Sequence, residues 1–226
     1  METSIHDNIV FSTDMYQVNS PAFYDSVIHL ICTAGRASFL YNEQHFDIVD
    51  GNIAVISQPR MVKMEFMSDD FQCEYIAAPD KFLHNLLPAN NYSIQGRVSL
   101  FANPIIEVND ENAAKFREDL LNIRQRIDDN DHRFYKEMIG SLLQTMIYDL
   151  FDFHTRGNDN ILTTDRVGYI TSRFFAMIEA GRPKIHREVS HYARELNVTS
   201  KYLTDTIKRV TGQSVSSHIT SPRHLS

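Results

Sequence analysis

The stretch Tyr192–Gly212, YARELNVTSKYLTDTIKRVTG, holds two helical periods separated by the short break Leu196-Asn197-Val198. Before the break, Val189, Tyr192, Ala193 and Leu196 make one apolar face. After it, Tyr202, Leu203, Ile207 and Val210 make another, opened by the hydroxyl of Thr199. Two helices meeting near a right angle need a small residue where their backbones approach, which Ala193 supplies. They also need apolar residues flanking the turn, which Leu196 and Val198 supply. The pattern predicts a helix-turn-helix. With Leu203 and Ile207 turned inward, Lys201, Thr204, Asp205 and Lys208 are predicted to face away from the core, where they would enter a major groove. Thr199 and Ser200 open the second helix, whose free N–H groups and positive dipole end suit a backbone phosphate. These six residues are the candidate DNA-contacting set.

The charge of the chain agrees with a polyanion-facing tail. Overall the 226 residues carry a net charge of -7. From Thr164 to Ser226 there are ten Lys/Arg against five acids, a net of +5 that leaves -12 for the rest. A basic module on an acidic body is expected where only the tail meets nucleic acid.

Upstream, Ser26–Ala34, Arg36–Asn42, Asn52–Ser57, Met61–Met67 and Phe71–Ala77 are short runs rich in Val, Ile, Phe and Tyr, separated by turn signals such as Ala34-Gly35 and Asp50-Gly51-Asn52. Val62, Met64 and Phe66 alternate with Lys63 and Glu65, and Phe71, Cys73 and Tyr75 with Gln72 and Glu74, so each run is predicted to have one dry face. Such spacing predicts an antiparallel sandwich or small barrel. After Asn109 the period becomes helical. Glu111–Asp128 and Arg133–Phe153 are predicted to be two antiparallel helices. The second carries an apolar arc too wide for one contact, satisfied either by a second copy of the chain or inside one monomer. Thr155–Thr163 is polar and contains Gly157, as a linker would. A third amphipathic helix follows, with Thr164 as its cap, Val167, Ile170, Phe174 and Ile178 as its stripe, and Gly181 past its end.

Composition limits the function classes. The chain is 42% hydrophobic with 8 Gly and 7 Pro, enough apolar material to bury a core of one large or two modest domains. Its two cysteines, Cys32 and Cys73, lie far apart in sequence and show neither disulfide-framework nor zinc spacing, which suits a reducing compartment. No run approaches the roughly 18 apolar residues of a membrane helix, so a cytoplasmic protein with no membrane contact is expected. His29 and His45 stand alone, and no metal or other cofactor is expected. His132, His154, His186 and His191 fall at expected helix ends or on polar faces and are predicted to be solvated. No nucleophile elbow, P-loop or dinucleotide fingerprint occurs, and no enzyme activity is expected.

The tail resembles the first helix-turn-helix of the AraC/XylS family of bacterial transcription regulators. The likeness rests on Tyr192-Ala193, on Leu196, Val198, Thr199, Tyr202 and Leu203, and on the exit Lys208-Arg209-Val210-Thr211-Gly212-Gln213-Ser214. It implies an α+β chain: an N-terminal antiparallel β cupin-like barrel with a two-helix dimerisation segment, then a small all-α helix-turn-helix domain. The corresponding boundaries are 1–155 for effector binding and dimerisation, 156–163 for the linker and 164–226 for a partial DNA-binding domain. The expected partners are DNA, an unknown small-molecule effector and a second copy of the chain through Arg133 to Phe153. Inward positions such as His29, Phe39, Tyr41, Met64 and Tyr75 are the candidate effector-pocket walls. Family DNA-binding domains carry a second helix-turn-helix joined by a long helix. Here that helix begins with Ser214, Ile219 and Arg223, meets Pro222, which cannot continue it, and the sequence closes at Ser226. The expectation is therefore weakened DNA binding, detectable at low salt. A ligand-binding and dimerisation module that no longer reads DNA is the alternative.

Overall fold

The computed structural model describes residues 9–86, 91–129, 131–157, 166–179, 185–211 and 214–220. The strands are β1 (Val10–Ser12), β2 (Ser26–Ala34), β3 (Arg36–Tyr41), β4 (Gln44–Val49), β5 (Ile53–Ile56), β6 (Lys63–Met67), β7 (Gln72–Pro79) and β8 (Ile105–Ile106). All pair antiparallel. They form a five-stranded sheet in the order β1-β7-β2-β5-β8 and a three-stranded sheet in the order β4-β3-β6. The expected closed barrel is not formed, since no ladder joins the two sheets among the described residues. The strands without a second partner are β1 and β8 in one sheet and β4 and β6 in the other, and the chain passes between the sheets from β2 to β3. The β2–β7 register shifts between Cys32 and Ala34, and Gly35, at φ +68°, turns the chain out of one sheet and into the other. Two bonds extend the three-stranded sheet to this corner: Ser68 N–H, after β6, donates to the Arg36 carbonyl of β3 at 2.9 Å, and Asp50 N–H, after β4, to the Gly35 carbonyl at 3.1 Å.

Gly35 is irreplaceable on two grounds. Its left-handed conformation costs any residue with a Cβ about 1–2 kcal/mol. A Cβ there would also stand 2.6 Å from Ser68 Oγ, 2.7 Å from Asp70 Oδ1 and 2.8 Å from the backbone nitrogen of Phe71. The substitution Gly35→Ala is expected to lower the unfolding free energy by about 2 kcal/mol or more, measured by urea denaturation.

Register explains where side chains land. In β7, Cys73 and Tyr75 are buried as their alternation predicts. In β6 the pattern fails at one residue: the pairing with β3 slips between Ser38 and Phe39, and Phe66 is 47% exposed beneath the Arg36 guanidinium at 5.6 Å. The five-stranded sheet also separates two of the proposed pocket walls. Tyr75 pairs with Leu30, and His29 pairs with Ile76 and Val55. Neighbouring positions in a strand face opposite ways, so His29 and Tyr75 lie on opposite faces of the sheet and cannot line one cavity side by side. Both are buried, as are Phe39 and Tyr41, while Met64 is half-buried.

The helices before residue 160 are α1 (Asp80–Leu86), α2 (Asn91–Ala102), α3 (Asp110–Arg126) and α4 (Tyr135–Gly157). Asn109 caps α3 by accepting the Asn112 N–H at 2.9 Å. The α3–α4 hairpin is antiparallel as predicted: Tyr135 at the start of α4 donates its hydroxyl to the Ile127 carbonyl, and Lys115 early in α3 pairs with Asp149 late in α4 at 3.1 Å. The wide apolar arc of α4 is used within the chain, against α1, α3 and β8. Gly140 faces α1, where a Cβ would stand 3.3 Å from Leu86, and Gln144 closes the contact by donating to the Leu86 carbonyl at 2.9 Å.

α4 also runs four residues past the expected Phe153, so 156 and 157 belong to it rather than to the linker. Arg156 bridges back to Asp152 at 2.9 Å, and Thr155 bonds the Phe151 and Asp152 carbonyls. That extension corrects the expectation for His154. Position 154 continues the arc of Ile147 and Leu150, and the imidazole is buried, not solvated.

By contacts the chain forms two units, Met1–Pro88 with Asn103–Asp159, and Ala89–Ala102 with Asn160–Ser226. Among the described residues no helix is long and apolar enough to cross a membrane.

Candidate nucleic-acid interface

The second unit contains α5 (Arg166–Glu179), α6 (Val189–Glu195), α7 (Ser200–Thr211) and α8 (Val215–Thr220). Thr164, Gly181, Gly212 and Pro222 lie outside the described residues. The α5 stripe is as predicted, with Ile170, Phe174 and Ile178 buried and Val167 half-buried. Phe174 is the centre of the core. Its ring meets Phe175 at 5.2 Å, Tyr192 at 5.6 Å and His218 at 6.4 Å, all edge-on. Tyr192, Ala193, Leu203, Ile207, Val215 and Ile219 complete the cluster.

The α6–α7 corner is built by local chemistry. Leu196 N–H bonds back to the Tyr192 carbonyl at 3.0 Å and Val198 N–H to the Ala193 carbonyl at 2.9 Å. Asn197 between them is left-handed at φ 54°, a conformation Asn tolerates better than most residues. Buried Ala193 supplies the small side chain that the corner requires. Thr199 then caps α7, its Oγ1 accepting the Tyr202 N–H at 3.1 Å. The Tyr192 hydroxyl donates to the His186 carbonyl at 2.9 Å, pinning the approach to α6. His186 stays exposed and its ring stacks on half-buried His191 at 3.7 Å.

With this brace in place, Leu203, Thr206, Ile207 and Val210 turn inward and Lys201, Asp205 and Lys208 are exposed. The three recur at steps of four and three, so they lie on one stripe of α7. Thr204 is half-buried, and Thr199 and Ser200 are exposed at the N-terminal end. Two exposed arginines escaped the sequence-based set. Arg194 at the end of α6, together with Asn197, Val198, Thr199 and Tyr202, lines a shallow depression at the corner. Arg209 lies beside Lys208 and is exposed. The signal for both arginines was present, because each is a basic residue in the last turn of its helix.

A lysine stripe interrupted by one carboxylate can do two things at DNA. The ammonium groups donate to phosphate oxygens or to guanine O6 and N7, and the carboxylate accepts from a cytosine amino group. Elsewhere, His45 is exposed and pairs with Glu65 at 2.6 Å. Among the described residues no three His, Cys, Asp or Glu converge as metal ligands.

No family model and no curated protein matches this chain. Among solved structures it is similar to the AraC-like transcriptional activator CuxR, at 10% identity and a TM-score of 0.46, over 97% of this chain and 77% of that one. It is also similar to ToxT from Vibrio cholerae O395, at 12% identity and a TM-score of 0.31, over 87% of this chain and 89% of that one. A further likeness is to unsaturated fatty acid bound ToxT from Vibrio cholerae strain SCE256, at 10% identity and a TM-score of 0.36, over 87% of each chain. These are likenesses of chain path, at an identity that carries no residue-by-residue correspondence.

Proposed function

We propose that this chain is a DNA-binding transcription regulator of AraC type, with α7 as its recognition helix. One observation carries the reading: Lys201, Asp205 and Lys208 form an exposed stripe on a helix whose opposite side, Leu203 and Ile207, is fully buried. A side chain held this way reaches a groove without first breaking core contacts. Lys201, Thr204, Asp205 and Lys208 face base edges or nearby phosphates, and Thr199 and Ser200 hold the backbone phosphate at the N-terminal end. Arg194 and Arg209 extend the contact to flanking phosphates. The β unit takes a small-molecule effector, with Phe39, Tyr41, Met64 and Tyr75 as its candidate walls. A second copy docks through the Arg133–Phe153 region, where Phe134 and Tyr148 are the exposed apolar side chains.

Salt dependence tests the DNA assignment. Log affinity for duplex DNA is expected to fall linearly with log salt at about −0.9 per neutralised phosphate. In the double variant Lys201→Ala and Lys208→Ala the slope is expected to flatten by about one per lysine that sits on phosphate, read by fluorescence anisotropy across a salt series. A chain that serves only as a ligand-binding module gives a slope near zero in both forms.

A further inference from the structure

Cys32 and Cys73, forty-one positions apart in sequence, are direct cross-strand partners between β2 and β7. Both are free and buried. The backbone of Cys32 decides how close they come. Its N–H donates to the Asn52 carbonyl and its carbonyl accepts from Gly51 N–H, each at 3.0 Å. Both groups therefore point toward the β5 side and away from β7. In an antiparallel ladder that makes Cys32 and Cys73 a non-hydrogen-bonded pair, the kind whose Cα atoms stand about 4.5 Å apart with side chains on one face. A disulfide needs Cα atoms about 4.4–6.8 Å apart, so the backbone already meets the requirement. In the reduced form the thiols turn to different acceptors: Cys32 Sγ donates to the Ala34 carbonyl at 3.3 Å and Cys73 Sγ to the Thr13 carbonyl at 3.6 Å. Rotation about the two Cα–Cβ bonds brings the sulfurs together.

We propose that this pair is an oxidation site, at which hydrogen peroxide converts the two thiols into a cross-strand disulfide that staples β2 to β7. One thiolate attacks the peroxide O–O bond, giving a sulfenic acid and releasing hydroxide, which takes up a proton as water. The second sulfur attacks the sulfenic sulfur and expels its hydroxyl as a second water. The two sulfurs lose two electrons to the peroxide, and both thiol protons end in water. Access fits a small oxidant: burial gives way immediately after Cys32 to half-buried Thr33, Ala34 and Gly35. Burial pushes the Cys32 thiol up to about 11 and, with Cys32 adding to the effect, the Cys73 thiol up to about 12. Because only the thiolate reacts, oxidation is slow at neutral pH and speeds up about tenfold per pH unit while the folded state persists.

The test treats the full chain with hydrogen peroxide under native conditions, followed by quenching, intact mass and peptide mapping. The expected product has lost two hydrogens, carries a Cys32–Cys73 cross-link, regains both thiols with dithiothreitol and melts at a higher temperature than the reduced chain. In Cys73→Ser the expected product is sulfenic or sulfinic acid at Cys32, with no internal cross-link. Should Cys73→Ser fail to fold, wild-type oxidation compared with and without denaturant decides: a cross-link that forms under native conditions supports the proposal. A native chain that keeps both thiols, forms only intermolecular disulfides, or cross-links in denaturant alone overturns it.

Discussion

Phe174→Ala is expected to abolish DNA binding while leaving the β unit folded. The ring is fully buried and touches three other rings. Removing an aromatic of this kind costs about 3–5 kcal/mol, partly in lost transfer energy and partly in the cavity left behind. A small domain has only about 5–15 kcal/mol in total, so the loss removes much of the second unit's margin. The ring touches none of the proposed DNA contacts; it acts by holding Tyr192, and through it the α6 wall against which α7 is braced. Calorimetry is expected to show a lowered transition for the second unit. Anisotropy is expected to show lost affinity even though every lysine is retained. A variant that melts lower yet binds normally would mean that α7 does not need its brace.

The second large effect concerns pH. His29 is buried in the five-stranded sheet, and its Nδ1 has no hydrogen-bond partner among the described residues. Burial lowers its pKa from 6.5 to about 4. Between those values the unfolded chain binds a proton that the folded chain refuses, so stability rises with pH across this window and is lost as pH falls through it. The shift corresponds to about 3 kcal/mol, present in full above pH 6.5 and gone near pH 4. Buried His154, also lowered by desolvation, pulls in the same direction. Asp119 pulls the other way. Burial, together with the neighbouring Asp149, raises its carboxyl from 3.8 to about 6, and there stability falls as pH rises. Half exposed, that carboxyl counts for less than its shift suggests. Chemical denaturation of wild type and His29→Leu across pH 4 to 7 isolates the histidine, since the other groups are common to both. The stability of wild type relative to His29→Leu is expected to rise by about 3 kcal/mol as pH rises from 4 to 7. Parallel curves would show that His29 takes up its proton as readily in the fold as in the unfolded chain.

The elements were legible where local chemistry decides them. Ser26–Ala34 becomes a strand over the span its β-branched run predicts, and the apolar spacing around Ala193 specifies the helix-turn-helix corner because Leu196, Val198 and Thr199 act within one turn of chain. What escaped depends on residues far apart. That Cys32 faces Cys73, and that His29 turns its back on Tyr75, follow from strand register, which no run of sequence contains. The bulge that exposes Phe66 is likewise a property of the β3–β6 pair. β4 was hidden for a different reason: its hairpin turns at Asn42 and Glu43, both with positive φ, and a glutamate there lacks the glycine signal usual in such turns. In α2, Ile94, Val98 and Phe101 do recur at steps of four and three, but Tyr92 and Leu100 elsewhere on the wheel dilute the stripe.

The placement of α2 has a consequence for how this chain divides. It packs on α5 and α7, yet it is encoded between β7 and β8, far upstream of both. The polypeptide crosses between its two units near residues 88, 102 and 159, like a thread that enters a second cloth for one stitch before returning to sew the hem. A gene cut at the obvious seam near residue 160 would therefore give one fragment a surplus helix and leave the other with an uncovered flank, so neither half is the module its outline suggests.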